Sequence, residues 1–264
     1  MIMQKLAFYI WAYKNVRENP IYQIHLRCLK YYHNIFTDTV FYVALEEEGD
    51  LYREIVNDII GCGFDECSVK IIKGVNDYKF GEAKFCYDEV FHDLLSYDGI
   101  TLFSHTKGLS NVLDEDRNIT QDTERIKKIA CWVCGMYYSN LSDMTDVTQR
   151  LYRDGYITYG AFKVNNNYWH YAGSFYWVNS KKLWNYLNAE NKQMPIPADR
   201  TYAESVFYLT FPEKERKLMQ TFNDVHFNDV PTMYDTPFES IERVFGFKYA
   251  SFLDFYSKII DGIL

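Results

Sequence analysis

Two short strings carry residues whose types and spacing could do chemistry. The first, Ile100-Thr-Leu-Phe-Ser-His-Thr-Lys-Gly108, runs from an apolar stretch straight into His105, Thr106, Lys107 and Gly108. A histidine and a lysine so placed offer positive charge and N–H donors to a diphosphate, and a following glycine lets backbone approach an anion closely. A polar strand-to-loop turn with a solvated lysine accounts for the same residues, and on residue type alone that is the commoner outcome. The second string, Tyr168-Trp-His-Tyr-Ala-Gly-Ser-Phe-Tyr-Trp-Val178, sets three Tyr, two Trp, one Phe and one His around Ala172-Gly173-Ser174. Gly173 leaves room for a ligand beside a strand, while His170 and Ser174 offer hydrogen bonds. An aromatic core strand explains Phe175 and Trp177 better, whereas both explanations stand for His170 and Ser174.

The elements that must position these strings alternate along the first hundred residues. Leu6 to Trp11 reads as a buried strand, and Asn19-Pro20 as an N-cap and first-turn proline before Ile21, Ile24, Cys28 and Leu29 at helical spacing. Thr39 to Leu45 is a second strand. Asp50 can cap a helix with Leu51, Ile55 and Ile59 inward, stopped by Gly61 and Gly63. Ser68 to Ile72, Glu82 to Ser96 and Ile100 to Ser104 then read as strand, helix and strand. This alternation predicts an α/β fold with a mostly parallel sheet and helices on both faces.

Ligands of such sheets bind beyond the carboxyl ends of the strands. Tyr13 and Lys14, after the first strand, are therefore candidates for a nucleotide. After the third strand, Asn76 to Glu82 precedes a helix start whose amides could meet a phosphate or a uracil, and Tyr78 or Phe80 could stack on the base.

Further on, a polar stretch from Gly108 to Asp122 precedes a helix from about Thr123 to Tyr138. Strand-like runs Tyr156 to Phe162 and Tyr171 to Val178 follow, then a helix capped by Ser180. Near the C-terminus, Phe252, Phe255, Tyr256, Ile259, Ile260 and Ile263 make an apolar stripe at helical spacing. Packing on the protein's own core ranks first for that stripe, a homodimer interface second and a membrane surface third. Lys248 and Lys258 are balanced by Asp254 and Asp261, which speaks against anionic lipid.

Composition narrows the function classes. Of 264 residues, 48% are hydrophobic and 24% charged, the balance of a globular chain that one domain can accommodate. A net charge of −8 argues against broad nucleic-acid binding. Mean hydropathy is −0.32, no apolar run reaches membrane-spanning length, and the first residues lack a secretion pattern. A cytoplasmic protein is expected. Cys131 and Cys134 form a C-x-x-C without a second pair to complete a zinc site, so buried structural thiols are expected there. The aromatic content, 18%, tilts weakly toward sugar binding, because aromatic faces pack on sugar C–H surfaces.

The H-T-K-G that closes a hydrophobic strand, followed some sixty residues later by H-Y-A-G-S-F-Y-W, resembles a family of bacterial polysaccharide glycosyltransferases. Their strings look like H-T-K-G and H-Y-S-G-N-F-W-W. The opening strand, Asn19-Pro20, Thr37-Asp38-Thr39 and Arg200-x-x-x-Glu204 are similar as well, so the likeness covers residues 5 to about 210. The resemblance implies a GT-A-like, Rossmann-type fold in one domain. About 1–110 would form the nucleotide-binding half, 111–210 the acceptor half and 211–264 a C-terminal helical tail.

It also implies transfer of a sugar from a nucleotide-sugar donor, a UDP-sugar favoured, to a carbohydrate or lipid-linked glycan acceptor, in surface polysaccharide or glycoconjugate synthesis. Most GT-A enzymes hold Mg²⁺ or Mn²⁺ with an Asp-x-Asp where the fourth strand ends. Here Ser104-His105-Thr106-Lys107 stands in that place, so metal dependence is in doubt, and His105 and Lys107 could compensate the diphosphate charge themselves. Asp114-Glu-Asp116 matches Asp-x-Asp literally, but reads first as a solvated acidic turn and second as a metal site. The acceptor hydroxyl needs a base in an inverting enzyme, for which Glu204 ranks first and Asp199 second. An i to i+4 ion pair between Glu204 and Arg200 competes with that role, as helix capping does for Asp199. His170, Gly173, Ser174 and Arg200 would then face sugar or acceptor. A catalytically inactive carbohydrate-binding homologue and another nucleotide-binding transferase are the competing identities.

Overall fold

In a computed structural model, residues 3–46, 49–73, 98–160, 163–165, 169–171, 175–191, 219–221 and 248–264 are described. The strands are β1 Gln4–Ala12, β2 Asp38–Leu45, β3 Val69–Lys73, β4 Ile100–His105, β5 Thr158–Gly160, β6 Lys163–Asn165, β7 Trp169–Tyr171, β8 Tyr176–Asn179 and β9 Met219–Thr221. The helices are α1 Pro20–Tyr32, α2 Leu51–Gly61, α3 Thr123–Leu141, α4 Met144–Thr148, α5 Ser180–Ala189 and α6 Tyr249–Ile260.

Each early element forms where its residues favour it. Asn19 accepts the Ile21 N–H and Pro20 occupies the first helical turn of α1, as their types predict. Asp122 caps α3 in the same way, through the Arg125 N–H. Asp50 precedes α2 without a side-chain cap bond. The cap of α5 is Asn179, not Ser180: the longer amide reaches the Lys182 N–H, and Ser180 is already helical.

The main sheet has the order β3-β2-β1-β4-β8-β5-β9. β3, β2, β1 and β4 are parallel, while β8 runs antiparallel to both β4 and β5, and β9 parallel to β5. The sheet is therefore mixed, and the expected parallel arrangement holds for its first four strands. Antiparallel pairing needs only a short return, and β5 and β8 are separated by little more than the small β6-β7 ladder.

Along β1, side chains alternate between two buried faces. Leu6, Phe8, Ile10 and Ala12 join one core cluster with residues of α1 and α3, while Ala7 and Tyr9 are buried outside it. α1 touches α2, α3 and α6, so these four helices form one connected layer. The helix expected over 82–96 lies outside the described residues.

α3 is buried at every position from Ile129 to Leu141, the mark of a central helix. Cys131 and Cys134 lie within it, and burial pushes both thiols up, as inert structural thiols require. α6 lays Phe252, Phe255, Tyr256 and Ile259 into the same core. The Phe255 ring lies 5.4 Å from that of Tyr32, and Phe252 lies 5.6 Å from Tyr138. Arg27 of α1 donates to the carbonyls of Ile259 and Asp261, fixing the end of α6. The C-terminal stripe thus packs on its own domain, with Ile263 just past the helix end. Among the described residues no helix is long and apolar enough to cross a membrane.

Candidate functional site

From β1 the chain steps outward to β2 and β3, then crosses back to place β4 on the other side of β1. That reversal is a topological switch point, and the crevice outside the carboxyl ends of β1 and β4 is where such sheets take ligands. Tyr13 and Lys14 leave β1 there, and His105, Thr106, Lys107 and Gly108 leave β4 beside them, in register through Tyr9 and His105.

The β4 exit is held from several sides. The Thr106 N–H donates to the Tyr9 carbonyl at 3.0 Å, and the Trp11 N–H donates to Thr106 Oγ1 at 3.1 Å. The Lys107 N–H closes a tight turn on the His105 carbonyl at 2.7 Å. Beneath it, His25 Nε2 lies 2.9 Å from the Lys107 carbonyl and Nδ1 lies 2.9 Å from the Tyr137 hydroxyl. A carbonyl can only accept, so Nε2 carries the proton and Nδ1 accepts from the Tyr137 O–H. Burial drives the His25 pKa down to about 3; the carbonyl opposes this and nearby His105 adds to it. His25 is therefore a neutral, fixed strut.

Gly108 has φ 91°, a left-handed conformation that a side chain disfavours. A Cβ there would stand 2.8 Å from Ile129 Cγ2 and 3.5 Å from Ile21 Cγ2. The close approach that this glycine permits is thus to α3 and α1. The Lys107 ammonium lies 5.7 Å from the centre of the Trp132 ring of α3, a cation–π geometry. His105 is buried, its ring 6.3 Å from that of Phe175.

Tyr13 is wall rather than platform. Its ring is buried 4.9 Å from that of Trp11, and its hydroxyl accepts from Asn19 Nδ2 at 2.7 Å. Burial raises its pKa, with the Asn19 bond opposing. The same Asn19 amide donates to the Leu109 carbonyl at 3.2 Å, so one residue ties the β1 exit, the start of α1 and the β4 exit together. Lys14, by contrast, is exposed at the crevice.

Two residues join the site that their types did not single out. Glu46, at the end of β2, has a side chain only 10% exposed. Its Oε1 accepts from Trp11 Nε1 and its Oε2 from Arg117 Nη1, both at 2.8 Å. In sequence Glu46 opens a Glu-Glu-Glu run that looks like solvated charge, and Arg117 is a single arginine in an acidic loop. Only the paired strands bring them together.

Asp114 and Asp116 are exposed. Asp114 Oδ1 accepts from the Asp116 and Asn118 N–H groups at 3.0 and 2.8 Å, folding the turn that Leu113 and Ile119 close as a bridge. The Asp-x-Asp is engaged in its own turn, and among the described residues no three His, Cys, Asp or Glu side chains converge as a metal set. Asp114 thus acts first as the organiser of an acidic turn.

The second string is partly described. Phe175 and Trp177 are core residues, as expected, with Trp177 Nε1 donating to the Asn140 carbonyl at 2.9 Å. Phe175 lies 5.2 Å from Tyr137 and so borders the His25 strut. His170 is on β7, opposite Val164. Tyr78, Phe80, Gly173, Ser174, Asp199, Arg200 and Glu204 lie outside the described residues. Comparison with protein-family models, curated proteins and solved structures finds no match for the chain.

Proposed function

We propose that the chain is a glycosyltransferase that takes a nucleotide-sugar, by preference a UDP-sugar, and passes the sugar to a carbohydrate or lipid-linked glycan acceptor. The observation that carries this reading is the switch point between β1 and β4, where the His105–Gly108 turn meets the exit of β1 at Tyr13 and Lys14. In this reading the four parallel strands are the nucleotide half of a GT-A-like fold.

The pinned turn holds Lys107 on a fixed backbone, and Lys14 and Lys107 supply cationic charge near a leaving diphosphate. Charge that develops on the leaving group is best met by groups that do not reorganise during reaction. Glu204 takes the proton of the acceptor hydroxyl, with Asp199 second in that role, and His170, Gly173, Ser174 and Arg200 meet sugar or acceptor. No step is assigned to Mg²⁺ or Mn²⁺.

A thermal-shift panel with UDP, GDP, CDP and TDP tests the reading. A ligand at a hundred times its Kd stabilises the folded state by about 2.7 kcal/mol, so UDP should raise the melting temperature by several degrees. No shift with any of the four nucleotides contradicts the proposal. A shift with UDP but no turnover of any UDP-sugar, alone or with glycan acceptors, assigns the fold to a non-catalytic binding homologue instead.

A further inference from the structure

We infer that Arg117 is an anion-binding residue of the crevice, held out by Glu46 to meet the phosphates of a nucleoside diphosphate. The inference rests on the nucleotide reading above and adds to it a residue outside both motif strings. Arg117 sits at the corner of the 114–118 turn, with its guanidinium delivered to the end of β2, one side chain away from Trp11 at the end of β1.

Glu46 is well built for a bracket. It is nearly buried, one carboxylate oxygen is fixed by the Trp11 indole N–H, and its main-chain N–H donates to the Ala12 carbonyl at 3.0 Å. Its other oxygen takes a single N–H from Arg117. A guanidinium has five N–H donors in a planar fork, which leaves four uncommitted among the described residues, on a side chain 56% exposed.

Arg17 shows what a purely structural arginine looks like in this molecule. Its Nε and Nη2 form a fork on Asp58 at 2.8 and 2.9 Å, and its Nη1 reaches Glu54 at 2.9 Å. Arg17 spends three donors on locking the segment before α1 to α2. Arg117 spends one and turns the remainder outward.

The backbone argues in the same direction. Arg117 has φ 64°, a left-handed conformation in which glycine or asparagine is favoured. The turn itself therefore has no need of arginine, and a non-glycine residue held in that region is a reason to look for a role in its side chain. Arg117 is also the only cation between Leu109 and Asp122, amid Asp114, Glu115 and Asp116. Within that stretch Arg117 is the positive charge an anion would meet, beside Lys14 and Lys107 at the strand exits.

Titration calorimetry with UDP and with inorganic pyrophosphate, on the wild-type chain and on Arg117→Gly, separates a ligand role from a structural one. Glycine relieves the left-handed backbone but leaves the Glu46 carboxylate with the Trp11 indole alone, so the variant should stay folded and melt within several degrees of the wild type. It should bind both probes at least about tenfold more weakly, the usual scale for losing a charge-assisted contact. Arg117→Lys, which keeps charge but not the fork, should fall between the two. Unchanged affinity in Arg117→Gly, or affinity that Arg117→Lys loses as fully as Arg117→Gly while both remain folded at the assay temperature, overturns the inference and leaves the nucleotide reading intact. Wild-type protein that binds neither probe overturns both.

Discussion

Two turns follow β4 within fifteen residues, and they are built on opposite principles. The His105–Gly108 turn is held from below, with His25 on a carbonyl, Ile129 against the glycine and Trp132 under the lysine. The 114–118 turn holds itself, through Asp114 Oδ1 and two N–H groups, and meets the rest of the molecule through Arg117. The first turn is part of the core and lies at the carboxyl-end edge of the sheet. The second is a surface device that carries one charge to that edge. A histidine and a lysine in a promising string are thus partly engaged in structure, while an unremarkable arginine presents uncommitted donors.

This contrast can be broken at the pinned turn. The largest effect is expected from Gly108→Ala, which forces a side chain into a left-handed backbone and into contact with Ile129. Each of those costs about 1–3 kcal/mol, so we expect a loss of about 3 kcal/mol in urea unfolding. A loss below about 0.5 kcal/mol would mean that α3 does not hold this turn.

A smaller effect, but a more diagnostic one, comes from His25. Its pKa is about 3 in the folded protein and near 6.5, the ordinary value of an exposed imidazole, in the unfolded chain, so protons favour the unfolded chain. Its contribution is complete above about pH 6.5 and is lost as pH falls toward 3, at about 1.4 kcal/mol per pH unit. Between about pH 6.5 and 5 the wild type should lose about 2 kcal/mol more than His25→Gln, which cannot titrate. Parallel pH profiles for the two proteins would show that His25 is not a buried neutral strut.

Much of the fold was legible in the residues. Apolar runs gave β1, β2, β3 and β4 within a residue or two, and Asn19-Pro20 marked the start of α1, because these signals are local. The spacing of Phe252, Phe255, Tyr256 and Ile259 gave α6 and its buried face. The antiparallel entry of β8 was missed, since alternation of elements says nothing about the direction of a strand that returns by a short link. At the site, sequence position found the β1 and β4 exits but not the tie made by Asn19, the strut of His25 or the Glu46–Arg117 pair. Each of those depends on contacts between distant positions: Asn19 and Leu109 are 90 apart, His25 and Lys107 82, and Glu46 and Arg117 71.

The central claim is that the crevice between β1 and β4 receives a nucleotide, and amide hydrogen exchange with and without saturating UDP tests it most directly. The account predicts slower exchange at Lys14, at Lys107 to Leu109 and at Arg117 to Asn118, with α6 unchanged. UDP binding accompanied by protection confined to α4, α5 or α6, with those exits unaffected, would contradict it.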